Sequence, residues 1–276
     1  MKKNTDILSL FYILFLMFIF LSSATGGIIA YVSYILAYFL PLVLFLVFLR
    51  DKESAPERLL VLKKKDIGFV LPIFAPTVLL VIGVSVATSY IVTSITGQTN
   101  SVDLGDSLLM AIVSHALIPA LFEEILFRFL PISLLGQYSR SGLVLISAVF
   151  FALIHHSLFS IPYAFVAGVI FMTVALITDS VIPTVLLHFI NNTMSVLFIF
   201  YGDNSIFVSI LIGLLLLLSI LSVSIIFLRR KEYLNRLSRT FSGEFKVSLS
   251  PISISFILLN LLIAVFSIDW SLVWKT

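Results

Sequence analysis

The chain has 276 residues, 60% of them hydrophobic and 11% charged, with a net charge of +3 and a mean hydropathy of +1.18. A soluble domain carries roughly 25% charged residues, so this composition excludes a soluble fold and implies a polytopic membrane protein. The absence of cysteine excludes disulfides, thiolate catalysis, Cys zinc sites and iron–sulfur clusters.

Apolar runs in chain order predict spans over residues 7–22, 28–49, 67–96, 107–134, 143–156, 160–178, 181–201, 205–228 and 251–268. None alternates as a barrel strand does, so each must be a helix, the form that satisfies every backbone group within its own segment. The expected fold is an all-α bundle of eight to nine transmembrane helices. It forms a single integral membrane domain, 1–276, with a motif-bearing core at 107–200 and flanking helices in 1–96 and 205–276. The first span reads as an uncleaved helix, although small residues near Ala24 also fit a signal peptide.

The basic residues set the orientation. Lys2 and Lys3 precede the first span, six Lys/Arg lie in Arg50–Asp66, Arg140 follows the fourth span, and six more lie in Arg229–Lys246. With a cytoplasmic N-terminus, these 15 of the 17 basic residues face inside, as the positive-inside rule requires. Only Arg128, within a span, and Lys275 fall elsewhere. The low charge gives no reason to expect a nucleic-acid partner, and the oligomeric state is not readable.

Against this background the ionisable residues within spans stand out: His115, Glu123, Glu124, Arg128, His155, His156 and His188, with Asn191 and Asn192 close behind. A charge at mid-bilayer costs at least about 2.5–3.5 kcal/mol, so such residues are kept for pairing or for function. Glu124 and Arg128 are four apart and share a helix face. Glu123 is turned about 100° away and is left as a carboxylate without a neutralising neighbour. His188 and Asn192 are again four apart. Counted from the basic side, Glu123, His155, His188 and Asn192 all lie about 10–18 Å deep on three separate helices. Pro119, just before the charged turn, predicts a kink. A Glu with one or two His can activate water as a general base, or can hold a metal that acidifies it. An Asn and a second His can donate to a developing oxyanion.

Three segments carry a resemblance: Glu123-Glu124-Ile125-Leu126-Phe127-Arg128, Phe151-Ala152-Leu153-Ile154-His155 and His188-Phe189-Ile190-Asn191-Asn192. In order and each within a span, they resemble the EExxxR, FxxxH and HxxxN motifs of the CAAX-protease and bacteriocin-processing family of intramembrane proteases, also called the abortive-infection family. The resemblance implies an endopeptidase in which Glu123 activates water with His155 beside it. His188 and Asn192 then stabilise the oxyanion, and Glu124 and Arg128 support the site. No cofactor is required for such a water. Glu123, His155 and His188 are the ligands if a divalent metal such as zinc is bound. The implied substrate is a small peptide or a membrane-anchored protein, cut within the bilayer of a bacterial plasma membrane. Two other classes stay open: a proton-coupled transporter, since buried Glu, His and Arg also form proton relays, and a non-catalytic bacteriocin-immunity protein.

Overall fold

The computed structural model describes residues 2–49, 57–99, 102, 104–105, 107–136 and 139–268. Every regular element among them is helical: α1 (Lys2–Ala24), α2 (Gly27–Leu49), α3 (Lys64–Thr96), α4 (Leu108–Leu135), α5 (Arg140–Leu153), α6 (Ile161–Thr178), α7 (Ile182–Phe200), α8 (Ser205–Leu228), α9 (Arg230–Thr240) and α10 (Pro251–Phe266), plus a 3-10 turn at Glu57–Leu60. Seven helices are long and apolar enough to cross a membrane, and α5 and α10 are shorter apolar helices. Together they coincide with the nine expected segments. Residues 50–56 of the basic segment, and Lys275, lie outside the described residues.

Helix α4 is not uniform. It holds two π turns, Val113–Leu117 and Ile125–Phe129, each ending two residues before a proline, Pro119 and Pro131. A proline ring collides with the carbonyl four residues back and supplies no N–H to it. The wider turn relieves the collision, so the break expected at Pro119 takes the form of a π turn rather than a simple kink. The carbonyls freed in this way cannot stay bare in lipid. His115 O, four before Pro119, accepts from Asn192 Nδ2 of α7 at 3.2 Å. Phe127 O, four before Pro131, accepts from Ser147 of α5. Leu130 N–H bonds to Ile125 O, which frees Leu126 O to accept from the Tyr12 hydroxyl of α1 at 3.0 Å. In α3, Gly68 O lies four before Pro72 and accepts from Arg229 at 2.6 Å.

Aromatic packing fills the space between these helices. Tyr12 stacks on Phe127 at 4.6 Å and meets Phe150 edge-on at 5.3 Å, and Phe150 meets Phe256 of α10 at 5.1 Å. Helices α5 and α6 pack backbone to backbone at Gly168. A Cβ there would come within 2.9 Å of Ala148 Cα, so only glycine permits the approach. Helix α5, with 14 residues, is about 21 Å long, short of the roughly 30 Å apolar core of a bilayer. It stops at Leu153, and the chain runs irregularly from His155 to the start of α6. Non-helical backbone at that depth is tolerated only within protein or along a cavity.

The basic segments gather at one end. Helix α9 lies on the start of α3, with Arg236 paired to Asp66 at 2.6 Å and Tyr233 donating to Phe69 O at 2.7 Å. The chain after α9 runs on to Ser139, whose hydroxyl donates to Glu244 O at 2.9 Å. Asn4 in the first turn of α1 donates to Leu134 O near the end of α4. Lys3, Lys63–Lys65, Arg140 and Arg229–Lys246 are thus collected on one side of the bundle, the arrangement the charge pattern requires.

Candidate active site

The charged turn of α4 is buried between the π turns. Glu123 is 8% exposed, and Glu124 and Arg128 are fully buried. Arg128 Nη1 donates to Glu124 Oε1 at 2.8 Å, the pairing expected from their spacing. The rest of the guanidinium lies between ring faces, 4.2 Å from the centre of Phe151 and 5.1 Å from that of Phe171. Arg128 Nε and Nη2 make no hydrogen bond. The cation therefore rests on one carboxylate oxygen and two aromatic faces.

Glu124 does more than neutralise Arg128. The same oxygen accepts from His188 Nδ1 at 2.8 Å. A carboxylate oxygen shared with an arginine is an acceptor, so Nδ1 carries the proton and Nε2 points onward. Glu123 Oε2 is the carboxylate oxygen it faces, 3.9 Å away. That separation is too long for a direct hydrogen bond and suits a single bridging water. His188 is 3% exposed and is walled by Phe151 and Phe171, its ring centre 5.7 and 5.4 Å from theirs.

His155 sits two residues beyond the end of α5. Its Nδ1 bonds to Phe151 O at 2.9 Å, and a carbonyl only accepts, so Nε2 is again the free nitrogen. The ring packs edge-on against Phe151 at 5.2 Å. Phe151 thus touches both histidines and the arginine. Among the described residues His155 makes no direct hydrogen bond or ion pair with Glu123: the FxxxH segment turns Nδ1 onto its own backbone and leaves Nε2 free. The same geometry bears on a metal. Among the described residues no group of three or more His, Asp or Glu side chains is disposed to hold one.

Asn192 ties α7 to α4. Its Nδ2 is committed to His115 O, the carbonyl that Pro119 leaves free. That direction fixes the next one. Asn192 Oδ1 accepts from Asn191 Nδ2 at 3.3 Å, so Asn191 presents Oδ1 outward from the pair. This atom is buried and has no hydrogen-bond partner, in a residue only 6% exposed. His115 therefore contributes its backbone, not its ring. His156, at φ 50°, places its ring 5.0 Å from that of Phe20 and takes no part in the cluster.

Two contributors had no signal in the motifs, and a third, Asn191, lies inside one at a position that spacing from His188 does not favour. Tyr38 of α2 lies beside Glu123, Phe171 of α6 completes the arginine's aromatic cradle, and Asn191 supplies an acceptor without a partner among the described residues. Tyr38 and Phe171 sit in helices without any motif, where an aromatic residue reads as packing.

The comparisons agree with the segment that carries this geometry. Residues 105–194 match the family model described as type II CAAX prenyl endopeptidase, Rce1-like. The match runs from just before α4 to just past Asn192, and so contains each of the three motifs. No curated protein and no solved structure matches the chain. Residues 105–194 are thus similar to the CAAX-protease family, the family that the EExxxR, FxxxH and HxxxN segments resemble.

Proposed function

We propose that the chain is an intramembrane endopeptidase that hydrolyses a peptide bond of a small peptide or a membrane-anchored protein, with Glu123 as the general base. The observation that carries this reading is the buried pair of Glu123 Oε2 and His188 Nε2, 3.9 Å apart, with Nδ1 of the same ring held by Glu124. A water lodged between the two is polarised from both sides. Glu123 takes one of its protons as the water oxygen bonds to the substrate's carbonyl carbon. Nε2 of His188, whose ring is oriented by Glu124, accepts from the water's other hydrogen and so helps aim the water oxygen at the carbonyl carbon. As the C–N bond breaks, Glu123 returns the proton to the leaving nitrogen. The Tyr38 hydroxyl keeps Glu123 oriented.

Asn192 acts at one remove, by fastening α7 to the π turn of α4 and so fixing the depth of His188 relative to Glu123. Asn191 Oδ1 is an acceptor awaiting a donor, which a substrate N–H or an ordered water supplies. The scheme needs no metal, because Glu123 itself takes the proton from the water. The basic end of the bundle faces the cytoplasm of a bacterial plasma membrane, and the N-terminus lies with it.

The test uses the full chain reconstituted in lipid vesicles with two fluorogenic peptides of one sequence, one with a prenylated C-terminal cysteine and one without. Glu123→Gln and His188→Ala abolish cleavage while the circular dichroism spectrum is unchanged. Preference between the two peptides assigns the substrate class. Equal cleavage by wild type and Glu123→Gln sinks the assignment of the base.

A further inference from the structure

A second site lies at the basic end, away from the catalytic cluster. A cavity of about 600 Å³ opens between the N-terminus of α5 and the chain that follows α9, lined by Arg140, Arg239 and Lys246 together with Ser141, Ser242 and Glu244. The Ser139 hydroxyl builds its floor. It donates to Glu244 O and accepts from the N–H groups of Gly142 and Lys246, both at 3.1 Å. Gly142 permits the close approach: a Cβ there would meet Lys246 O. The site is therefore fixed by the fold and is not a chance gathering of side chains.

Its charge is unbalanced. Glu244 is taken by Lys246 Nζ at 2.7 Å. Among the described residues Arg140 and Arg239 have no acidic partner, whereas Arg229 and Arg236 nearby are paired to Glu232 and Asp66. The N-terminal end of α5 adds its own positive field. The rim of the same site is apolar. Phe245 is 62% exposed between Glu244 and Lys246, two residues that line the cavity. A short helix with basic residues and exposed leucines, set where transmembrane helices end, is built to lie in the interface of a bilayer.

We propose that this cavity binds the phosphate of an anionic phospholipid headgroup, with Arg140 and Arg239 as its ligands and with Phe245 against the acyl chains. The occupant is an amphiphile because the exposed Phe245 stands between two residues that line the cationic cavity. A soluble phosphate compound would have no use for that exposed ring. Bound there, the lipid clamps the start of α5, the helix that ends at His155, to the chain after α9.

Native mass spectrometry of the full chain in detergent, titrated with phosphatidylglycerol, tests this. In parallel arms phosphatidylcholine and inorganic phosphate replace it. Each cation near an anionic surface is worth about fivefold in affinity. Arg140→Gln/Arg239→Gln is thus expected to weaken phosphatidylglycerol binding by roughly 25-fold. Arg140→Lys/Arg239→Lys keeps most of it, and Lys231→Gln, outside the cavity, costs no more than the roughly fivefold of a single surface cation. Retention of phosphatidylglycerol by the double glutamine variant at wild-type strength overturns the proposal, as does equal binding of phosphatidylcholine. Displacement of the lipid by an equal concentration of inorganic phosphate assigns the site to a soluble anion and overturns the headgroup reading.

Discussion

Replacing Glu124 with glutamine keeps the size of the side chain and its Oε1 acceptor but removes the negative charge. In the native structure that oxygen receives Arg128 Nη1 and His188 Nδ1, each at 2.8 Å, and both Glu124 and Arg128 are fully buried. Removing one partner of a buried pair costs about 3–5 kcal/mol, because the other charge stays buried and uncompensated. A hydrogen bond kept by the amide offsets about 1 kcal/mol of this. The expected loss is therefore about 2–4 kcal/mol, seen as a drop in the thermal midpoint on the order of 10 °C by circular dichroism in detergent. Adding Arg128→Met removes the orphaned cation and lets an apolar side chain fill the space between Phe151 and Phe171. Glu124→Gln/Arg128→Met should regain at least half of the lost stability. Turnover behaves differently. Without the carboxylate, the His188 ring loses the charge that holds it when protonated, and peptide cleavage falls at least about 10²-fold in both variants. If the double variant is no more stable than Glu124→Gln, the uncompensated arginine is not the source of the loss. If the stable double variant cleaves at the wild-type rate, Glu124 does not act through His188.

Tyr12→Phe leaves Leu126 O without its donor in a buried position. It should lower stability by about 1–3 kcal/mol in the same melt, with the native spectrum retained. Asn192→Leu should cost a similar amount, because it bares His115 O, and Pro119→Ala should cancel most of that cost by restoring an N–H at the position four residues on. An unchanged cost in the Pro119→Ala background would refute the freed-carbonyl account. Excess 1,10-phenanthroline should leave cleavage unaffected, as expected where Glu123 itself takes the proton from the water. Inhibition reversed by added zinc would replace the scheme proposed above. Gly168→Leu should prevent folding or lower the midpoint sharply, since its Cβ would press on Ala148 Cα at 2.9 Å.

The bundle was legible in the sequence because lipid imposes one backbone solution and charge asymmetry fixes its ends. All nine apolar segments are helices, and among the described residues the basic side chains outside the spans gather at one end. The pairing of Glu124 with Arg128 was legible for a local reason: residues four apart on a helix meet whatever the rest of the fold does. What spacing does not carry is the direction of a side chain between helices. Glu124 could be counted as neutralised, but nothing in EExxxR says that its oxygen also holds His188. Equal depth brought His155 near the site, while its ring turns to Phe151 O because α5 ends at Leu153, and helix ends are poorly marked when the flanking residues are apolar. Asn192 was chosen over Asn191 on spacing from His188. The structure gives Asn192 to a backbone carbonyl and leaves Asn191 with the unpartnered oxygen.

The prolines account for much of this. Within a membrane a carbonyl that loses its N–H partner has no water to turn to, so each in-span proline creates a demand for a donor four residues back. The demand is met by Asn192 at His115 O, by Ser147 at Phe127 O and by Arg229 at Gly68 O. Tyr12 meets the related demand at Leu126 O. Two of these ties join α4 to the helices that bear the other motifs, α5 and α7, and a third joins it to α1. The prolines on either side of Glu123 and Glu124 thus do two things at once. They open π turns that take the charged turn out of regular register, and they recruit the side-chain donors that lock the neighbouring helices against it. The polar residues of this region therefore divide by partner. Those that answer a freed carbonyl hold the frame, and those that answer one another across helices, Glu123, Glu124, Arg128 and His188, are the ones placed to do chemistry.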